Sequence, residues 1–384
     1  MTDRSTKAVM LVPNHSLFRR GGEVVIESAE VELIRALQER HAPVRLASFV
    51  ETASHTGLHG TVPPDVQIRA LNWIRHRGAG PLRILNYIAA IVRAPAALRG
   101  VEQAYLFCPG HCTIVIALWA IVMRVPFGLY VRCTWLDASG RTPRLWRYIF
   151  SRAAFIVATG EAFRRRLQQF NDRVENEVPL TAVRVAAAAD ELQRRARGIR
   201  RLLFVGRLTA EKGILEVLDA LAILRTEGVR DLTLRVVGGG TEQELESLRR
   251  RIRTLGLEHA VELSGHVGDA QTLIAYYHEA DAFVFPSYFR EGFPRVLYEA
   301  MMLAVPIVTT WMPGTDGFLR DGENALLCAP REPEDVARCI GMLVREPQLA
   351  VRLASRAQSD VRDVFAQFAH RSHAEQLLAC IRAT

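Results

Sequence analysis

RLLFVGRLTAEKGILEVLDALAILRTE, residues 201–227, decides the fold. Its first eight residues form a β-rich run, and from about Glu211 to Glu227 the positions Ile214, Val217, Leu218, Leu221 and Leu224 recur at helical spacing. The same alternation continues downstream. LTLRVVGGG (232–240) reads as a strand, followed by a charged helix from about Glu242 to Leu255, the strand AVELSGH (260–266) and a helix over 269–280. DAFVFPS (281–287), a helix over 294–304 and VPIVTT (305–310) complete the series. Strands that are apolar throughout and alternate with helices belong to a parallel sheet covered on both faces. Residues 199–364 are therefore expected to form a doubly wound α/β domain.

Upstream the theme repeats less clearly. AVMLVP (8–13) reads as a strand, and a Gly21-Gly22 loop is expected to feed a helix from about Glu23 to Arg40. VRLASFV (44–50), AYLFCPG (104–110), FGLYVR (127–132) and AFIVATG (154–160) are the later strands of a first domain over residues 1–185. Residues 171–200 are polar and mixed and read as the connection. From Pro347 onward the chain is helical in character, and a helix over about 365–384 is placed back on the first domain. The expected architecture is two Rossmann-like domains facing a cleft, with ligands beyond the carboxyl ends of the strands.

The 384 residues are too many for one ordinary core, and 49% hydrophobic with 23% charged residues excludes a disordered chain. Residues 1–200 hold 28 Lys plus Arg against 16 Asp plus Glu, or +12, while the rest is mildly acidic. A basic first half suits an anionic partner such as a phosphate or lipid headgroup, although an arginine-rich codon bias gives the same composition. Nucleic acid is not the expected partner. Only Lys7 and Lys212 are lysines, which makes a lysine inside a loop noteworthy.

Six unpaired cysteines without a secretory leader imply a reduced, cytoplasmic protein. Cys108, His111 and Cys112 are close in sequence, but with no second ligand pair they read as small buried thiols rather than a zinc site, and no metal is expected. TIVIALWAIVM (113–123) is too short to span a bilayer and reads as a buried helix. PLRILNYIAAIVRAPAALRG (81–100) is read as a helix packed on the domain core, with peripheral attachment to a membrane surface as its alternative.

Chemistry is concentrated in two loops. GRLTAEKG (206–213) places Gly206, Arg207 and Lys212 before a helix N-terminus, so a diphosphate would meet two cations and a helix dipole. No GxxxxGK[ST] is present, and Gly238-Gly239-Gly240 lacks the third glycine of the dinucleotide fingerprint, where Gln243 stands. REGFPRVLYEAM (290–301) puts Glu291 in the loop after the strand DAFVFPS and Glu299 inside the next helix, with Pro294 at the first helical position. Leu297, Ala300, Met301 and Ala304 form the core face, and Glu299 points away from it. A carboxylate there either is solvated or accepts two hydroxyls, as a ribose diol requires.

In order and spacing, FVGRLTAEKG, VVGGGTE, SGHV, EGFPRVLYE with seven residues between its glutamates, EAMMLAVPIVTT and DGENALL resemble family 4 of the GT-B glycosyltransferases, the retaining nucleotide-sugar transferases. The resemblance spans residues 201 to about 328 and implies a hexosyltransferase that moves a sugar from a nucleoside diphosphate to a hydroxyl, with no cofactor. By that resemblance Arg207 and Lys212 would hold the donor diphosphate and Glu299 its ribose. Glu291 would face the donor sugar at the reacting carbon. Gly206, Gly239, Phe293, Pro294, Arg295 and Val296 would line the donor, and Gly21 and Gly22 would close over its phosphates. His111 and Arg132 would lie on the acceptor side. Pro294 and Ala304 stand where the family usually has glycine, and Arg132 where many members carry histidine. A nucleotide-sugar epimerase and a non-catalytic nucleotide-sugar-binding subunit are the alternatives. The acceptor implied is a glycan, a small molecule or an anionic, lipid-linked saccharide at a membrane surface.

Overall fold

The computed structural model describes residues 8–26, 28–39, 43–52, 60–74, 81–110, 112–132, 142–177, 192, 195–289, 292–368 and 373–384. The chain forms two compact units, Met1–Glu177 with Arg371–Thr384 and Val178–His370.

The first unit runs β1 (Ala8–Val12), β2 (Leu17–Arg20), β3 (Glu23–Ile26), α1 (Ser28–Glu39), β4 (Val44–Ser48), β5 (Val50–Thr52), β6 (Gly60–Thr61) and β7 (Gln67–Ala70). Next come α2 (Pro81–Leu98), β8 (Val101–Cys108), α3 (Thr113–Met123), β9 (Phe127–Val131), α4 (Arg144–Arg152), β10 (Phe155–Thr159), α5 (Glu161–Leu167) and β11 (Val174–Glu177). Its main sheet is ordered β11-β10-β9-β8-β1-β4-β7, and every neighbouring pair is parallel. The strand order reverses between β1 and β8. A smaller mixed sheet, β5-β2-β3-β6, sits beside it.

Two expectations for this unit are corrected. Gly21 and Gly22 do not feed a helix: they are the two central residues of the β2–β3 hairpin, at φ +55 and +94. Two positive φ values in succession are what a tight hairpin turn needs, and glycine reaches them without strain. Residues 174–177, VENE, which read as connection, form the edge strand β11 against β10. With charged residues along its length, that strand carries no apolar signal.

The second unit runs β12 (Arg201–Val205), a 3₁₀ turn at Ala210–Lys212, α6 (Ile214–Thr226), β13 (Thr233–Val237), α7 (Glu242–Thr254), β14 (Val261–Gly265), α8 (Ala270–Glu279) and β15 (Ala282–Phe285). Then follow α9 (Arg295–Met302), β16 (Ile307–Thr310), β17 (Leu326–Cys328), α10 (Pro333–Arg345) and α11 (Pro347–Phe368). Its sheet is all parallel in the order β14-β13-β12-β15-β16-β17. Numbered along this unit, that is 3-2-1-4-5-6, the doubly wound dinucleotide-binding order, with its switch point between β12 and β15. β12 is central because Leu202 pairs with both Leu234 and Ala282. Its start is pinned by Asp281, whose Oδ2 accepts from the backbone N–H groups of Arg200 and Arg201.

After α11 the chain returns, and α12 (His373–Arg382) belongs to the first unit, packing on α1. His373 Nε2 lies 3.1 Å from the Tyr105 hydroxyl, and Gln376 donates to the carbonyl of Asn176 at 3.0 Å. α2, α3, α4 and α5 cover one face of the first sheet. α1, α12 and the small sheet lie on the other. Cys108 and Cys112 pack on the α2–α5 face as small apolar residues, and burial pushes the Cys112 thiol up to about 12. α3 is not the fully buried helix its composition suggests: Ile116, Ala117 and Ala120 face the sheet, while Val122 is 70% exposed.

Candidate donor site

The site is built at the switch point of the second unit. Beyond Val205 the backbone N–H of Gly206 donates to the carbonyl of Val237 and that of Leu208 to the carbonyl of Gly239, at 3.0 and 2.9 Å. The loops after β12 and β13 thus lie zipped together. Gly238 allows this approach, since a Cβ there would come within 1.7 Å of the Gly206 oxygen, at a φ of +149. Gly239, exposed at the rim, has open space around it apart from the side chain of His266.

The loop after β12 then turns through the 3₁₀ residues and enters α6 at Gly213, whose φ is +80. A Cβ on Gly213 would strike the Pro286 oxygen at 2.2 Å, so this loop also presses on the one after β15. The carbonyl of Glu211 accepts from the backbone N–H groups of Tyr288 and Phe289 and from the Ser287 hydroxyl. Thr309 and Thr310 of β16 donate their hydroxyls to the carbonyls of Phe285 and Ser287. Three strand-end loops are therefore locked to one another by backbone groups, an arrangement that holds side chains to a fixed geometry.

Arg207 and Lys212 occupy different surroundings within that loop. Lys212 is 7% exposed, with its ammonium 5.8 Å from the ring centroid of Phe285 and 5.1 Å from that of Phe289. A lysine covered by two aromatic rings has its stem buried and its rotamers restricted. Arg207 is exposed and acts on Glu244 in the first turn of α7. The Glu244 carboxyl sits below its ordinary range chiefly because the Thr241 backbone and hydroxyl donate to it, with Arg207 adding to the effect.

α9 carries Glu299, and here the structure corrects the expected helix face. Leu297, Ala300 and Met301 face the core, but Tyr298, Glu299 and Met302 are buried as well. Glu299 is 7% exposed and its Oε2 accepts from the Tyr277 hydroxyl of α8 at 3.0 Å. The carboxylate is neither a solvated surface group nor an unanchored one. Pro294 is the residue before the helix rather than its first residue, with φ −62 and ψ 129, and its carbonyl accepts from Leu297 N–H. Its missing N–H therefore lies outside the helix ladder. Arg295 opens the helix and is exposed, while Val296 is half-buried and its carbonyl also lies in reach of the Tyr277 hydroxyl. Phe293 is turned inward, stacked on Tyr298 at 3.8 Å and edge-on to Phe318, so what it offers a ligand is backbone. Gly314, in the loop after β16, packs its Cα against Gly292, leaving no room for a Cβ. Glu291 and His111 lie outside the described residues.

Several contributors have no signal in sequence. Tyr277 is one. Arg195 is another: fully buried, it donates to the carbonyls of Tyr277 and Ala280 behind α8 and of Ala304 behind α9. It thereby holds the two helices of the site by their carboxyl ends, where the dipole favours a cation. In the first unit the switch point gathers Asn14, His15 and Gly110. His15 Nε2 lies 3.0 Å from a buried Glu30 carboxylate, the Ser16 hydroxyl donates to Glu51, and the Asn14 Oδ1 is buried with no hydrogen-bond donor among the described residues. The PNHS run after β1 was the available cue. Arg132, at the end of β9, donates its N–H to the Cys108 carbonyl and lays its guanidinium 5.8 Å from the Tyr130 ring centroid. Gly21 and Gly22 are exposed at their hairpin tip.

This fold is that of the GT-B glycosyltransferases. Over 97% of this chain and 98% of the other, it matches the crystal structure of Anabaena HepE in complex with UDP at a TM-score of 0.65 and 18% identity. Sucrose-phosphate synthase from Thermosynechococcus elongatus matches at 0.63 and 18% identity, over 98% of each chain. Residues 191–360 match the family model of glycosyl transferases group 1, and the chain carries that domain there. Within curated relatives, the glycogen synthase of Mycobacterium tuberculosis is 35% identical over 41% of this chain and 37% of its own length. The D-inositol 3-phosphate glycosyltransferase of Frankia alni is 34% identical over 48% of each. These matches span less than half the length of the relatives. Among the described residues no helix is long and apolar enough to cross a membrane.

Proposed function

We propose that the chain is a retaining glycosyltransferase of GT-B family 4 that moves a hexosyl group from a nucleoside-diphosphate sugar to an acceptor hydroxyl. The observation that carries this reading is the position of Gly206, Arg207 and Lys212 on the loop after β12 and of Glu299 on α9, the helix after β15, on the two sides of the β12–β15 switch point. In a wound sheet that crevice is where a nucleotide lies. The neighbour HepE was solved with UDP and with UDP-glucose, which supports a nucleoside diphosphate as the donor's leaving part.

Glu299, held by Tyr277, accepts the two ribose hydroxyls through its remaining lone pairs. Lys212 and Arg207, with the amino end of α6, bind the diphosphate. As the bond from the sugar's anomeric carbon to the phosphate oxygen breaks, negative charge grows on that oxygen, and cations already in place lower the barrier. The two side chains supply the charge that a divalent cation would otherwise bring, so the proposed reaction needs no metal. The acceptor oxygen attacks the face the phosphate leaves, and its proton passes to the departing phosphate. Glu291 faces the sugar, with the backbone of Phe293, Pro294, Arg295 and Val296 and of Gly239 lining the donor. Gly21 and Gly22 serve the donor phosphates, and His111 and Arg132 the acceptor, which is a glycan, a lipid-linked saccharide or a small molecule. Arg132 stays protonated and so binds an anionic group rather than acting as a base.

A thermal-shift screen of nucleotide sugars identifies the donor, since saturation at about 100 times Kd stabilises by about 2.7 kcal/mol. With that donor and an acceptor, release of nucleoside diphosphate in the presence of EDTA and product with the donor's anomeric configuration are expected. Product of inverted configuration, or conversion of the donor without acceptor, overturns the proposal.

A further inference from the structure

α2 packs on the sheet mainly through small residues, with Leu98 and Tyr87 beside them, and leaves most of its large aliphatics outside. Its small residues Ala89, Ala90, Ala94 and Ala97 face the sheet, while the larger Ile84, Leu85, Ile88, Ile91 and Val92 are exposed, Ile84 and Val92 at 62%. A helix whose only partner is the domain core places its bulky aliphatics inward, because taking their apolar surface out of water stabilises the fold. The helix packs on the domain core as expected, but leaves most of its large aliphatic side chains outside it. α3 lies against α2 and adds exposed Leu118 and Val122, and α4 lies against α3 and adds Leu145 and Tyr148. All three helices cover the same face of the sheet, so their outward sides form one apolar layer.

Charge selects what covers it. α2, α3 and α4 contain no aspartate or glutamate at all, yet Arg99, Arg124, Arg144, Arg147 and Arg152 are exposed on or directly after them. An apolar surface of aliphatics with a tyrosine, on helices that carry exposed arginines and no acid of their own, is the composition of a helix face that rests in a lipid headgroup layer. A symmetric contact with a second copy would bring these like charges together, with nothing acidic on the helices to offset them. We propose that the outer face of α2, α3 and α4 is a docking surface for an anionic lipid bilayer. The aliphatics enter the acyl boundary and the arginines pair with lipid phosphates. This surface is separate from the donor site and does not depend on the proposed reaction.

The test is co-sedimentation of the full chain with phosphatidylcholine vesicles, with and without phosphatidylglycerol. The parent is expected to pellet only with the anionic vesicles. Replacing Arg144 by Gln should lower partition about fivefold, the effect of one basic residue near an anionic surface. The double substitution Ile88→Asp with Val92→Asp should abolish binding, while its far-ultraviolet circular dichroism and its nucleotide-sugar thermal shift match those of the parent. No pelleting of the parent with phosphatidylglycerol, or full pelleting of the aspartate variant, overturns the proposal. So does a parent dimer in sedimentation velocity that the aspartates dissociate, since a second copy would then cover the face.

Discussion

The Tyr277 hydroxyl donates to Oε2 of Glu299 at 3.0 Å, tying α8 to α9 across 22 residues of chain. Burial, and then the adjacent carboxylate, hold the tyrosine well above its ordinary pKa, so it remains a donor at any working pH. Tyr277→Phe removes that donor from a buried acid. It should cost about 1–3 kcal/mol in urea unfolding and weaken nucleotide binding, because the carboxylate loses its orientation.

Glu299→Gln keeps the volume but loses the charged acceptor for the ribose diol. Donor affinity should fall by about 1.5–3 kcal/mol, as for a charge-assisted hydrogen bond, with a thermal midpoint close to that of the parent. Titration calorimetry with the donor measures the first and calorimetric unfolding the second.

Lys212→Met preserves the stem between Phe285 and Phe289 while deleting the charge. kcat should fall about 10²–10³-fold, the usual effect of losing one group aimed at developing negative charge. Arg207→Met, at an exposed position, should lose less. Equal and small effects on kcat for both would mean that neither cation serves the leaving group.

Gly238→Ala must fail to fold as the parent does, since its Cβ would sit 1.7 Å from the Gly206 oxygen at a positive φ. Gly256→Ala is the control: φ is +63, with nothing near the added carbon. The second should cost about 1–2 kcal/mol from backbone conformation alone. The first adds a clash that only separation of the two loops relieves, and its unfolding midpoint should lie well below that of the control.

Glu244 provides a pH signature. Thr241 donors hold its folded pKa below the unfolded value, so its stabilisation is present above the ordinary glutamate pKa and is lost as pH falls through the lowered one. The difference in thermal midpoint between parent and Glu244→Gln should therefore be full at neutral pH and close on acidification below the usual carboxylate range.

The fold was legible wherever strands are covered on both faces. RLLFV, TLRVV, AFVF and IVTT are short runs rich in aliphatic, aromatic and β-branched residues, and each forms a strand of the second sheet. Short or polar strands such as VENE and LLC carry no such run and appear only through their pairing partners. The glycines and cations of the β12 loop are local in sequence and so were readable. The Tyr277 bond to Glu299 and the Arg195 contacts to two helix ends join distant residues. No spacing rule anticipates them, and the helix-face pattern pointed Glu299 outward because it could not include α8.

α12 completes the wall of a core whose other members all precede residue 178. During synthesis the first unit therefore leaves the ribosome with Tyr105 and Asn176 still lacking His373 and Gln376, and it waits for the entire second unit to be translated. Domains that fold as they emerge normally finish in chain order. Here the half made first is finished last, after residues 178–370 have all been made.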